Sequence, residues 1–112
     1  MSSKYLYKLD FYIAPGKILE FERGFSKVLI AEREHKRGLG KNIKLYKTFI
    51  GGKNIITFLV PMESLSEMDT WMHLPKLVLE FYGQEEGMKI LLEYSYAIDK
   101  TYSSIIKKYD FK

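Results

Sequence analysis

Cysteine is absent from this sequence, and its absence excludes several classes of protein. Without thiols the chain has no disulfide scaffold, no thiol nucleophile and no cysteine-ligated zinc or iron–sulfur site. Long apolar runs are missing too. The longest, from Ile55 to Val60 with a threonine inside it, is far shorter than the roughly 20 residues that span a bilayer. The N-terminal residues lack the apolar core of a signal peptide. We therefore expect a cytoplasmic protein with no membrane partner.

Arginines and amide side chains are scarce, whereas lysine and glutamate are abundant. The chain has 15 Lys against 3 Arg and 10 Glu against 4 Asp, and its amides are Asn42, Asn54 and Gln84. Such a bias is typical of proteins from thermophiles. The 112 residues are 46% hydrophobic and 15% aromatic, which excludes disorder and allows a two-layer core. We expect a single domain over residues 1–112.

The apolar pattern in the first third of the chain predicts a strand followed by a helix. Residues 4–13 alternate as a strand does, and Pro15-Gly16 ends it. A helix is predicted over residues 17–36, ending before a left-handed cap at Gly38. Its apolar stripe consists of Ile18, Phe21, Phe25, Val28 and Leu29.

Two β-rich runs follow, over residues 43–50 and 55–60. Gly51-Gly52-Lys53-Asn54 separates them and predicts a hairpin, and Pro61 is expected to end the second run. Ser64 and Glu67 then form a capping-box pattern at the start of a second helical region.

This second helical region is interrupted at Pro75, which cannot lie inside a regular helix. A further helix is predicted over residues 84–99, and a fourth strand over residues 102–111. The residues expected to face inward along the helical region are Leu65, Met68, Met72, Leu77, Val78, Phe81, Met88, Leu91, Leu92, Ser95 and Ile98.

The predicted order, β-α-β-β-α-β, is typical of a ferredoxin-like two-layer α+β sandwich. In that fold the helices cover one face of a four-stranded antiparallel sheet. The opposite face also carries apolar residues, namely Leu6, Tyr12, Tyr46 and Ile50 in one choice of register. Such a face needs a cover, and a chain of this length has no spare element. A second copy is the simplest cover, so we expect a homodimer with facing sheets.

These features resemble the dimeric α+β barrel superfamily and, more narrowly, its NIPSNAP-like small proteins. The resemblance rests on Asp10-Phe11-Tyr12-Ile13 followed by Pro15-Gly16-Lys17, on Met68-Asp69-Thr70-Trp71, and on the helix and strand of residues 93–110. It implies a dimer whose two sheets close into a barrel-like interior. The superfamily includes cofactor-free monooxygenases, haem-handling enzymes, lactone isomerases and ligand-sensing modules. Fold alone does not choose among these functions.

Three polar residues, Lys8, Asp10 and Tyr12, share one face of the first predicted strand. Over an apolar floor in a dimer cleft, such groups orient a small molecule. Asp10 and Tyr12 are therefore candidate catalytic residues, with Asp10 as the proton acceptor. The structural alternative is a Lys–Asp pair and a tyrosine hydroxyl satisfied at the interface.

The two histidines are further candidates for a general base or a ligand contact. His73 stands beside the predicted helix break and is the third candidate catalytic residue. His35 lies in the last turn of the first predicted helix, where the helix dipole favours a cation, and is a candidate ligand-binding residue. Neither has a partner at metal-ligand spacing, so we expect no metal site.

Trp71 with Met68 is typical of the wall of a ligand pocket, because both side chains adapt to irregular apolar shapes. Tyr46, in the predicted hairpin, is a further candidate ligand-binding residue. At helical spacing Met68, Trp71 and Met72 are equally typical of ordinary core packing, and both interpretations stay open.

Charge is unevenly distributed along the chain. Residues 33–53 hold seven basic residues and one acidic residue, whereas residues 63–86 hold six acidic residues and one lysine. The basic segment is able to steer an anion. Its glycines, Gly38 and Gly40, end a helix instead of opening one, which excludes a phosphate loop. The third predicted strand lacks the Gly-aromatic motif of RNA-recognition modules, so we do not expect nucleic-acid binding.

The sequence therefore predicts a small-molecule-binding homodimer without a cofactor. A small organic ligand would lie between the sheet and the broken second helix, contacted by Asp10, Tyr12, Tyr46, Trp71 and His73. The resemblance implies that any chemistry is cofactor-independent oxygenation or isomerisation, begun by proton abstraction. A noncatalytic dimer that senses a ligand or docks a protein partner is the alternative.

Overall fold

Strands and helices form two layers in the part of the chain that the structure describes. The computed structural model describes residues 5–34 and 43–109, with the backbone alone at Thr70. The antiparallel sheet has the order β2-β3-β1-β4. Its strands are β1 (Tyr5–Ile13), β2 (Lys44–Lys47), β3 (Ile55–Met62) and β4 (Ile98–Ile106).

One face of this sheet is covered by helices, which confirms the ferredoxin-like α+β fold. The first helix is α1 (Ile18–Glu34). The second helical region is broken, as expected, and consists of a 3₁₀ turn (Leu65–Glu67), α2 (Met68–Met72), α3 (Leu74–Tyr82) and α4 (Gln84–Tyr96). Pro75 lies in the first turn of α3, where its missing N–H breaks no helical hydrogen bond.

The alternation of the strands decides which residues form the core. In the register of β1 with β3, Leu9 lies opposite Phe58 and Phe11 opposite Ile56, and these residues face the helices. The predicted stripe of α1 packs on them, since Phe21, Phe25 and Val28 are buried and Ile18 and Leu29 half-buried. The buried residues of the main core are Phe11, Ile13, Phe21, Phe25, Phe58, Val60, Met62, Trp71 and Ala97.

α1 and α4 come into direct contact at Gly24. A Cβ atom on Gly24 would lie 2.6 Å from the Cβ of Tyr94, so the two helices approach this closely only because residue 24 has no side chain. An ion pair lies beside the contact, with Arg23 Nη2 and Glu93 Oε2 2.8 Å apart. The hydrogen bond from Arg23 lowers the pKa of the Glu93 carboxyl.

Three strand boundaries differ from those predicted. β2 ends at Lys47, not residue 50, because the pair Thr48–Ile55 closes the ladder and residues 49–54 form the loop. β3 continues through Pro61 to Met62. β3 pairs with β2 only as far as Leu59, which lies opposite Lys44. No residue of β2 therefore lies beside Pro61, and the missing N–H of this proline breaks no hydrogen bond to β2. β4 begins at Ile98 and ends at Ile106, before Tyr109.

Several helical residues expected to face inward are exposed instead, namely Leu65, Met72, Phe81, Met88, Leu92 and Ser95. α4 packs against α3 as well as α1, and a Cβ on Gly87 would lie 2.9 Å from the Cα of Leu79. The buried side of α4 therefore runs through Gly87 and Ile90, one residue away from the predicted Met88 and Leu91. The predicted end of the first helix and its cap at Gly38 lie outside the described residues.

We predict that Gly24→Ala destabilises the protein. Alanine in a helix ordinarily stabilises by roughly 0.5–1 kcal/mol relative to glycine, whereas overpacking a tight contact costs roughly 1–3 kcal/mol. The contact with Tyr94 should reverse the usual sign, which urea unfolding measures. Gly52→Ala is the control, because nothing lies within 4 Å of a Cβ at that position. An unchanged or raised unfolding midpoint for Gly24→Ala would contradict the close contact.

Candidate functional site

A cavity of about 470 Å³ lies between the helices and the sheet. Small-molecule sites in proteins have volumes of roughly 300–1,000 Å³, so this one admits an organic molecule. Aromatic side chains from four elements line it, with Phe11 from β1, Phe25 from α1, Phe58 from β3 and Tyr94 from α4. Trp71 of α2 is the fifth aromatic residue in the lining.

The aromatic rings of the lining hold one another in place. The ring centroids of Phe25 and Phe58 are 5.6 Å apart, and those of Phe58 and Trp71 are also 5.6 Å apart, both pairs edge to face. Tyr94 lies 6.3 Å from Phe25. Pairs at these distances and angles are the favoured arrangement of aromatic quadrupoles. The cavity therefore has a preformed wall.

Trp71, one residue of this wall, has a buried hydrogen-bond donor. Its side chain is only 5% exposed, and its Nε1 has no hydrogen-bond partner among the described residues. A buried donor without a partner costs roughly 1–3 kcal/mol. The turn before α2 positions this tryptophan, since Glu67 Oε2 accepts hydrogen bonds from the backbone N–H groups of Glu63 and Ser64 at 2.6 and 2.9 Å.

The cavity opens to solvent along the start of β4. The exposed residues of its lining are Pro75, Ser95, Asp99, Lys100 and Thr101. The ammonium of Lys100 is turned to the other face of the sheet, where it lies 5.5 Å from the centre of the Tyr12 ring. Asp99 is thus the charged side chain of the lining that stays near the opening. An acidic opening disfavours anionic ligands.

Burial raises the pKa of the Tyr94 hydroxyl. The phenol in the cavity wall is therefore neutral at physiological pH. The aromatic wall of the described cavity therefore carries no charge, which suits an uncharged ligand.

The other face of the sheet, which we call the open face, carries a polar network. Thr57 Oγ1 donates a hydrogen bond of 2.6 Å to Asp10 Oδ1, and Lys8 Nζ lies 3.6 Å from Asp10 Oδ2. These contacts join β1 to β3 and orient the Asp10 carboxylate. Lys8, Asp10 and Tyr12 share this face, as the alternation of the strand predicted.

Aromatic and apolar residues flank the polar network. At one end, the rings of Tyr12 and Tyr102 are 5.4 Å apart, and Lys100 lies against both. At the other end, Leu6 lies opposite Pro61 of β3 and Ile106 of β4. The predicted apolar residues Leu6, Tyr12 and Tyr46 are on the open face, while Ile50 lies in the loop after β2. The open face is thus polar at its centre, apolar at the Leu6 end, and aromatic with a lysine ammonium at the Tyr12 end.

The structure divides the candidate residues between the two faces instead of gathering them around one ligand. Asp10, Tyr12 and Tyr46 lie on the open face, Tyr46 opposite Thr57. Trp71 lies on the helical side. The expectation that these four line one pocket is wrong in its geometry, because residues on opposite faces of a sheet cannot contact one small molecule.

The remaining candidates lie away from the cavity wall or outside the described residues. Met68 is half-buried and packs against the main core. His73 is exposed at the break between α2 and α3, and its Nδ1 lies 2.7 Å from the backbone carbonyl of Asp69. His35 is outside the described residues. Within residues 5–34 and 43–109, no group of three or more acidic or histidine side chains is placed to hold a metal ion.

Several residues of these two regions belong to no sequence pattern that predicts their position. Thr57 and Tyr102 join the open face only because the strand register brings them beside Asp10. Tyr94 and Asp99 reach the cavity through the packing of α4 and the start of β4. Gly24 is different, because a glycine in the middle of a helix indicates a close packing contact. That contact is with Tyr94.

Solved structures share this fold, whereas no protein-family model and no curated protein matches the chain. A NIPSNAP family protein from Agrobacterium tumefaciens is 16% identical, with a TM-score of 0.66 over 100% of this chain and 91% of its own. A second one from that bacterium, of unknown function, is 15% identical, with a TM-score of 0.70 over 98% and 92%. A dimeric ferredoxin-like protein from an uncultured marine organism is 10% identical, with a TM-score of 0.60 over 99% and 95%.

These likenesses establish the fold and confirm the resemblance to NIPSNAP-like proteins at that level. Identities this low carry no statement about activity. As for membranes, none of the helices in the described segments is both long and apolar enough to cross a bilayer.

Proposed function

We propose that this protein binds a small organic molecule in the cavity between its helices and its sheet, and that it does so as a homodimer. The observation that carries the proposal is the preformed aromatic wall of a cavity of about 470 Å³, one of whose residues, Trp71, has a buried N–H without a partner among the described residues. A preformed, mostly apolar cavity with a polar group close to its wall is the usual form of a small-molecule site.

The chemistry of the lining narrows the class of ligand. Phe11, Phe25 and Phe58 favour an aromatic or alicyclic body. The N–H of Trp71 would donate a hydrogen bond to one acceptor atom on that body. The carboxylate of Asp99 near the opening would repel a ligand that carries a carboxylate or phosphate. The proposed ligand is therefore an uncharged, mostly apolar molecule with a carbonyl or ether oxygen.

The homodimer follows from the uncovered open face. Leu6, Pro61 and Ile106 make an apolar row at one end, and Tyr12 and Tyr102 make an aromatic pair at the other. A second copy would bury both ends and enclose the Asp10 network between them. The ferredoxin-like neighbour described as dimeric supports this arrangement.

Binding without catalysis is favoured by the separation of the two faces. Asp10 and Tyr12, the candidate proton-transfer residues, would lie in the dimer interior, on the far side of the sheet from a ligand beside Trp71. Asp10 is also engaged with Thr57 and Lys8, as the structural alternative expects. A ligand-sensing dimer therefore accounts for the geometry better than cofactor-independent oxygenation or isomerisation.

We predict that the protein binds 2-acetylnaphthalene more tightly than 2-ethylnaphthalene or 2-naphthoate. The ketone offers an uncharged acceptor, the ethyl compound offers none, and the carboxylate adds an unfavourable charge. A hydrogen bond from Trp71 would contribute roughly 0.5–1.5 kcal/mol, or about a 2- to 10-fold preference for the ketone over the ethyl compound. Ligand-observed NMR titration measures the three affinities.

The matched control is Trp71→Phe, which keeps an aromatic ring and removes the donor. In this variant the preference for the ketone over the ethyl compound should disappear, whatever happens to the absolute affinities. If no member of the series binds the wild-type protein, ligand binding in this cavity is wrong.

We predict that the wild-type protein has about twice the 13.2 kDa mass of one chain in solution, and that Ile106→Glu makes it monomeric. The substitution places a charge in the apolar row of the open face, where association would strip it of water. Sedimentation velocity measures the mass. Leu19→Glu is the control, since Leu19 is exposed on α1, on the helical side. A monomeric wild-type protein would rule out the facing-sheet dimer.

A further inference from the structure

Two bulky apolar side chains stand almost fully exposed at the end of the β2–β3 hairpin. Phe49 is 94% exposed and Ile50 is 86% exposed, and we call this pair the hairpin tip. The tip stands clear of both layers, because residues 49–54 and all four residues of β2 are exposed. Single exposed apolar residues are common on protein surfaces, whereas two adjacent ones on a bare protrusion indicate a contact surface.

Hydrogen bonds hold both ends of the loop that carries the hairpin tip. At its start, Thr48 N donates to the Ile55 carbonyl at 2.9 Å, and Ile55 N donates to Thr48 Oγ1 at 3.3 Å. At its end, the Asn54 carbonyl accepts a hydrogen bond of 2.9 Å from Ile13 N, which ties the loop to β1. The loop is therefore a supported protrusion that presents the hairpin tip to solvent.

The charged residues of this hairpin are all basic. Lys47 precedes the hairpin tip by two residues, and Lys53 follows it by three. Both are therefore within roughly 11 Å of the tip, at about 3.8 Å between consecutive Cα atoms. No acidic residue occurs between residues 43 and 62. An apolar tip between two lysines is complementary to a surface that is negatively charged outside and apolar inside.

The other charges at this end of the sheet cancel one another. The charged residues of the turn after β1, the first turn of α1 and the start of β4 are Lys17, Glu20, Asp99 and Lys100. Two of these are basic and two are acidic. The excess positive charge at this end therefore belongs to the hairpin itself, close to its apolar tip.

The size of the hairpin tip favours a lipid surface over a protein partner. A buried phenylalanine covers roughly 150–250 Å². The two side chains of the tip together fall short of the roughly 800 Å² that each partner contributes to a stable protein interface. A lipid surface sets no such requirement, because a few apolar side chains and neighbouring lysines suffice for reversible binding there.

We propose that Phe49 and Ile50 insert into the interface of an anionic lipid membrane, with Lys47 and Lys53 on its charged headgroups. This contact goes beyond the proposed function and does not depend on it, since the hairpin tip lies outside the cavity lining and outside the strands of the open face. The expectation of no membrane partner rests on the lack of a spanning segment, and a surface contact needs none.

Vesicle flotation tests the binding. We expect the wild-type protein to float with vesicles of equal parts phosphatidylcholine and phosphatidylglycerol, and far less with vesicles of phosphatidylcholine alone. Phe49→Ser with Ile50→Ser should weaken binding to the anionic vesicles about tenfold or more, because the apolar surface that enters the membrane is lost. Lys47→Gln with Lys53→Gln should weaken it about tenfold, because each lysine is attracted by the negative surface potential.

Fluorescence tests the insertion, and the absence of native cysteines allows a single label. Ile50→Cys carrying the environment-sensitive dye NBD should show blue-shifted and brighter emission when the anionic vesicles are added. Leu65→Cys with the same dye is the matched control. Leu65 is also exposed, but it follows β3 at the opposite end of the sheet, beside Glu63 and Glu67, so its emission should not change.

Three results would overturn the proposal. A wild-type protein that does not float with the anionic vesicles would exclude a lipid surface as the occupant of the hairpin tip. Flotation without a change in dye emission at residue 50, or with an equal change at residue 65, would mean that the tip does not insert. Blue-shifted emission at residue 50 before vesicles are added would place the tip against another copy of the protein.

Discussion

The close crossing of α1 and α4 at Gly24 is the contact on which the rest of the helical layer depends. Because residue 24 has no Cβ, the backbone of α4 reaches α1, and Tyr94 is set against Phe21 and Phe25. A second close contact, Gly87 against Leu79, fixes α4 on α3. Two glycines therefore allow α4 to pack closely against both α1 and α3.

That tight layer is also narrow, and its narrowness leaves room for the cavity. The helices cover β1 and β3 well, while β4 stays exposed along nearly its whole length. Between the packed helices and this bare strand lies the cavity, walled by aromatic rings that pack on each other. An edge strand left bare in a small domain needs a cover. The same feature thus accounts for the opening of the cavity and supports the proposed second copy.

The polar residues of β1 show what the alternation of a strand predicts and what it does not. Lys8, Asp10 and Tyr12 share a face because alternate side chains of a strand point the same way, whatever the rest of the fold. Their contacts with Thr57 and Tyr102 come from neighbouring strands, and only the register decides them. The grouping of Asp10 with Trp71 failed for a related reason, since the pattern of β1 does not say which face the helices cover.

Local periodicity and residues with restricted backbones were sufficient to predict the order of the elements, the break before Pro75, the apolar stripe of α1 and the α+β class. The buried side of α4, the reach of β3 past Pro61 and the position of the cavity were decided by tertiary structure alone. Each of these depends on contacts between residues far apart in the chain. Because the apolar residues of α4 lie on several of its sides, only the elements that it packs against determine which side is buried.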